Sequence, residues 1–192
     1  MSDKFIIKDV LPFCESSILK QGIFLHILKA DSAPPHLIMI INGTCFDLGI
    51  KGPSIRNDYD ALLAMIKNKF VKALFVSLAW PRSFSNEIVY AKMKEFVLQY
   101  NGLFAGYKQL SCLTPIKDFC EWGYQINCSN VNFIFDLLPL LYDKKNVGSA
   151  YHLNMQEMVC EGNIVLNKYT KQDIDNRIRE LQALENTKTK IY

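Results

Sequence analysis

The chain has 192 residues, 49% of them hydrophobic and 21% charged, with a formal net charge of +3. That composition excludes a disordered chain, and its length fits one domain. So small a charge, with no Lys/Arg block, gives no basis for nucleic-acid binding, and no apolar run is long enough to span a membrane. The opening MSDKFIIKDV carries charges where a secretory signal needs a continuous apolar run. A cytoplasmic location is expected.

The first apolar run, GIFLHILKA, follows a polar turn and reads as a buried strand. Residues 31–35, DSAPP, make a stiff connector, because proline fixes φ and biases the preceding residue towards extended backbone. HLIMII and TCFDLGI then flank Asn42-Gly43, the strongest short-range signal for a two-residue β-hairpin. Tyr59, Leu62, Leu63 and Ile66 have helical spacing between Asp58 and Lys69, and FVKALFVSLAW reads as a central strand that Pro81 stops.

Ser85 is an N-cap for a helix whose stripe comprises Ile88, Val89, Met93, Phe96 and Val97, and Gly102 ends it. Residues 103–127 read as irregular. A helix is expected to start near Cys128, with Asn127 as its cap, and to reach Pro139. A short helix and the strand NIVLNKY are expected within residues 150–167. From Thr170 a charged amphipathic helix presents Ile174, Ile178 and Leu181, packed on the domain rather than in a coiled coil too short to hold. The expected class is α+β, an antiparallel sheet packed on helices, with one domain over residues 1–168 and the charged helix over 169–192.

Six cysteines occur without a C-x-x-C or paired-His spacing, so reduced thiols, no metal and no cofactor are expected. Cys128, placed at a helix N-terminus, would see free backbone N–H groups and the positive end of the helix dipole. Both lower a thiol pKa, and only the thiolate is a strong nucleophile. The alternative is a small core residue. The hairpin register sets Ile38 opposite Asp47 and His36 diagonal to it, on one face of the sheet. A carboxylate there can orient an imidazole as the third member of a nucleophile–base–orienter triad. The alternative is a solvent-facing His and Asp. Cys45 shares that face but has no helix terminus. His26 reads as a sheet residue, and His152 has no partner that the sequence places nearby.

A strand opened by His36 in HLIMIING, a carboxylate at Asp47 in CFDLG, and Cys128 in NCSNVNFIFDLL form an ordered pattern. It resembles the permuted branch of the papain-like NlpC-type superfamily, which includes lecithin retinol acyltransferase-like enzymes. Gly106-Tyr107 is similar to the Gly-x-Tyr region upstream of the nucleophile. The resemblance implies a cysteine peptidase, amidase or acyltransferase acting on an amide or ester through an acyl-enzyme. Its residues would be Cys128 as nucleophile, His36 as base and Asp47 as orienter, with Gln125 and Tyr107 as oxyanion or substrate contacts. The second reading is a catalytically degenerate papain-like scaffold that binds a partner.

Overall fold

The computed structural model describes residues 4–189. Its first elements are strands β1 (Lys4–Ile7), β2 (Val10–Pro12), β3 (Ile23–Leu28), β4 (His36–Ile41), β5 (Thr44–Gly49) and β6 (Gly52–Arg56). Helix α1 (Tyr59–Asn68), strand β7 (Ala73–Leu78) and helices α2 (Asn86–Leu98), α3 (Thr114–Tyr124) and α4 (Ile134–Asp143) follow. Strands β8 (Val147–Leu153), β9 (Val159–Cys160) and β10 (Asn163–Asn167) and helix α5 (Lys171–Thr189) complete the order. The fold is α+β.

Seven strands form one sheet in the order β2-β8-β7-β3-β4-β5-β6, and β1, β10 and β9 form a small second sheet. Within the large sheet β2 runs parallel to β8 and every other pair is antiparallel, so the sheet is mixed rather than purely antiparallel. Asn42 and Gly43 both take positive φ, 46° and 80°, as a twist-matched two-residue hairpin turn requires. The Asn42 side chain seals the turn by accepting from the Gly22 N–H at 3.0 Å.

Strand alternation gives the sheet two apolar faces. Leu25, Leu37, Met39, Phe46 and Val76 pack against α2, α3 and α4, and Phe24, Ile38, Ile40, Cys45 and Phe75 pack against α1. The α1 stripe of Tyr59, Leu62, Leu63 and Ile66 is buried as its spacing requires. In α2 the Ser85 hydroxyl accepts from the Ile88 N–H, and Val89, Met93 and Val97 are buried. Ile88 is nearly half exposed and lies off that stripe.

Three stretches depart from the sequence reading. Residues 103–127 contain α3, whose Pro115 occupies the first turn and whose Ile116, Phe119, Cys120 and Tyr124 make the buried stripe. Helix α4 starts at Ile134, not near Cys128. Asp136 Oδ2 accepts from the backbone N–H groups of Asn132 and Phe133 at that start, and Pro139 lies inside the helix. Residues 147–153 are strand β8, which that reading did not place, while the short helix expected within residues 150–167 is the 3₁₀ turn Gln156–Met158. The tail helix is present, with Thr170 and Asp173 capping each other's N–H groups.

Candidate active site

Pro34 and Pro35 deliver the chain into β4, and His36 is its first residue. His36, Ile38 and Ile40 point to the α1 side of the sheet, as Cys45 and Asp47 do from β5. The register brings His36 Nε2 within 3.9 Å of Asp47 Oδ1, close enough for charge pairing but longer than a hydrogen bond. Arg56, opposite Cys45 in register, donates from Nη2 to Asp47 Oδ2 at 2.9 Å. The buried carboxylate therefore lies between an imidazole and a guanidinium.

Burial holds the His36 imidazole below its ordinary pKa, although 35% of the side chain still meets solvent. The Asp47 carboxylate opposes that shift, and the charges of Arg56 and Lys29 add to it. A neutral ring is the resting form at pH 7.

A cavity of about 320 Å³ covers this end of the sheet. Its floor is Leu28, Leu37 and Leu48, its roof is Ile174, Ile178 and Leu181 from α5, and His36 lines it. Cys112 lines it too. This half-buried thiol belongs to the turn that leads into α3. There the Leu113 N–H donates to Ser111 Oγ at 3.3 Å and the Ser111 N–H donates to Thr114 Oγ1 at 2.9 Å. Burial pushes the Cys112 thiol up to about 11, and the Asp47 charge adds to that shift. The backbone N–H groups of Leu37, Cys112 and Leu113 act on the sulfur in the opposite sense. His36 also borders a second, more polar recess, lined by Asp47, Ser54, Arg56, Lys51 and Glu185.

The other expected residues lie elsewhere. Cys128 is fully buried in the link between α3 and α4, six positions before α4 begins, so it opens no helix. It packs in the core on the α2–α4 side of the sheet, opposite the face that carries His36 and Asp47. Its N–H donates to Glu121 Oε1 at 3.0 Å, and burial followed by the Glu121 charge pushes its thiol up to about 11. The expectation that Cys128 meets His36 is thus corrected; Cys112, which also packs against the core on the α2–α4 side, is the thiol that shares a cavity lining with His36. Gln125 is exposed in a left-handed conformation that ends α3, and Tyr107 is exposed beside Phe104. Neither lines the cavity or the recess.

Cys45 is buried in the second core, its thiol also raised to about 11 by burial. His26 is buried and stacked on Phe75 at 4.5 Å, with no hydrogen-bond partner for either ring nitrogen among the described residues. His152 is buried in β8 in register with Leu74. All six cysteines are free thiols.

Cys112 and Arg56 are the residues that sequence reasoning passed over. A signal for Cys112 exists in Thr114-Pro115 followed by the apolar spacing 116, 119, 120 and 124, which marks a helix start two residues after the thiol. Arg56 belongs to an edge strand begun by Gly52-Pro53, a dipeptide that argues against a strand unless it lies at an edge.

No family model, no curated protein and no solved structure matches the chain. Among the described residues no helix is long and apolar enough to cross a membrane, and no cluster of metal-ligating side chains occurs.

Proposed function

We propose that this chain is a cysteine-dependent acyl hydrolase or acyltransferase of permuted papain-like design, with Cys112 in the role first expected of Cys128. One observation carries the reading. Cys112, at the amino end of α3, lines the same cavity as His36, whose imidazole is held beside Asp47.

The chemistry follows from those placements. With Nε2 turned to Asp47, His36 Nδ1 is the nitrogen left to exchange protons with the thiol. The Cys112 sulfur adds to the carbonyl carbon of R–CO–X while His36 takes the thiol proton. Asp47 stabilises the imidazolium so formed, and the Cys112 N–H, which acts on the sulfur at rest, turns to the oxyanion. The C–X bond breaks, X leaves with the proton from His36, and a thioester remains. Water, or an alcohol or amine acceptor, then attacks the thioester and gives its proton to His36. The acid or acyl-acceptor product departs, and that proton returns to the thiol.

A thiol with a pKa near 11 is only about one part in 10⁴ thiolate at pH 7. Proton transfer must therefore accompany attack, which suits an ester or thioester better than an unactivated amide. The same raised pKa favours a second reading, a scaffold of this fold that binds its ligand without turnover. Rapid-quench assays with p-nitrophenyl esters separate the two. Turnover predicts a stoichiometric burst of nitrophenol that Cys112→Ala and His36→Ala abolish and Cys128→Ala retains. A wild-type protein that releases no nitrophenol above the uncatalysed rate is the binding scaffold.

A further inference from the structure

Resting on that reading, we infer that the cavity between the sheet end and α5 is an acyl-chain site, which takes a straight apolar chain of medium length. Its walls are aliphatic: Leu28, Leu37 and Leu48 face Ile174, Ile178 and Leu181 across the space. At about 30 Å³ per water-sized group, 320 Å³ holds about ten such groups, which is the size of a decanoyl chain. The space is open on one side, so the further carbons of a hexadecanoyl chain would lie outside it and add little burial. A peptide is a poor occupant, since its amide groups would enter aliphatic walls that offer few partners.

Charge points the same way. Among the described residues the charged side chains bordering the cavity are Lys29 and Arg177, and no carboxylate lines it. Arg177 also pairs with Glu180 at 3.0 Å, outside the lining, so its guanidinium is already held in place. An acyl group joined to the Cys112 sulfur enters an aliphatic space, and the acid released on hydrolysis leaves past cations. The polar recess on the other side of His36, about 410 Å³ with Ser54, Arg56 and Lys51 on its walls, fits a polar leaving group or acceptor. His36 stands between the two spaces, where a proton must pass from thiol to leaving group.

The test separates binding from catalysis by using Cys112→Ala, which retains the cavity but forms no thioester. Calorimetric titration with octanoate, decanoate and hexadecanoate is expected to give one saturable site, with affinity that rises from octanoate to decanoate and gains nothing further for hexadecanoate. Ile178→Trp and Leu48→Trp, each checked for an unchanged circular dichroism spectrum, should each weaken decanoate binding at least tenfold by filling the space. Should one of them fail to fold, the other decides. Absence of binding, or affinity that climbs steadily through hexadecanoate, overturns the inference. Decanoate binding without a nitrophenol burst in the wild type would end the catalytic reading and leave the chain site standing. A burst with acetyl esters and no preference for longer chains would do the reverse.

Discussion

His36 and Asp47 face each other from neighbouring strands, Nε2 to Oδ1 at 3.9 Å, while Arg56 holds the other carboxylate oxygen at 2.9 Å. The imidazole and the guanidinium therefore share one anion. Two opposed changes in the His36 titration follow. Asp47→Asn removes the charge that supports imidazolium, so the His36 pKa should fall further. Arg56→Met removes a charge that opposes imidazolium and frees Asp47, so the pKa should rise. Histidine-selective NMR titration reads both shifts, and equal pKa values in the two variants would mean that the His36–Asp47–Arg56 arrangement is not formed in solution.

His26 should make the protein acid-sensitive. Its folded-state pKa is lowered to about 3, first by burial and then by the charges of His36 and Arg56. The unfolded chain binds a proton near pH 6.5, so between these values it holds more protons than the folded chain. Stability is then fully present above pH 6.5 and falls as pH drops through the window towards 3. Between pH 7 and pH 5 the loss is about 2 kcal/mol for this one group. His26→Phe, which keeps a ring against Phe75, should flatten the pH dependence of urea unfolding over that range. An unchanged slope would assign the acid sensitivity to other groups.

Gly106 sets how closely α5 approaches the loop before α3. Its φ is +100°, and a Cβ built there would lie 2.7 Å from Ile178 Cγ2. Gly106→Ala should cost about 1–3 kcal/mol through backbone strain and this clash. Ile178→Ala added to it should recover the steric part, so the two changes are non-additive in Tm. Simple additivity would show that α5 does not rest on this loop.

The thiols should react in an order set by burial. Cys14 and Cys160 are exposed, whereas burial pushes Cys112 and Cys128 up to about 11. With iodoacetamide at pH 7, Cys14 and Cys160 should alkylate at least tenfold faster than either of these. Peptide mapping over a time course reads the order directly.

Much of the scaffold was legible because local signals and tertiary packing agree there. Asn42-Gly43 dictated the hairpin, and with it the diagonal that sets His36 beside Asp47. The α1 stripe and the Ser85 cap were equally local. The thiol proposed as nucleophile was not legible in that way. Asn127 before Cys128 looks like a cap, yet Asp136 satisfies the N–H groups at residues 132 and 133 and starts α4 later. Which thiol shares a cavity with His36 depends on the docking of α3 against the sheet, a long-range contact that no local pattern encodes. Strand β8 escaped for a related reason: VGSAYHL has weak alternation and is held by pairing with β7 and β2.

Incubation with p-nitrophenyl decanoate, acid quench and peptide mapping by mass spectrometry tests the placement of the nucleophile most directly. The decanoyl group should be found as a thioester on the peptide containing Cys112, and His36→Ala should lower its rate of formation at least a hundredfold. Acylation of Cys128 in its place, or of Cys112 at a rate indifferent to His36, would contradict the assignment.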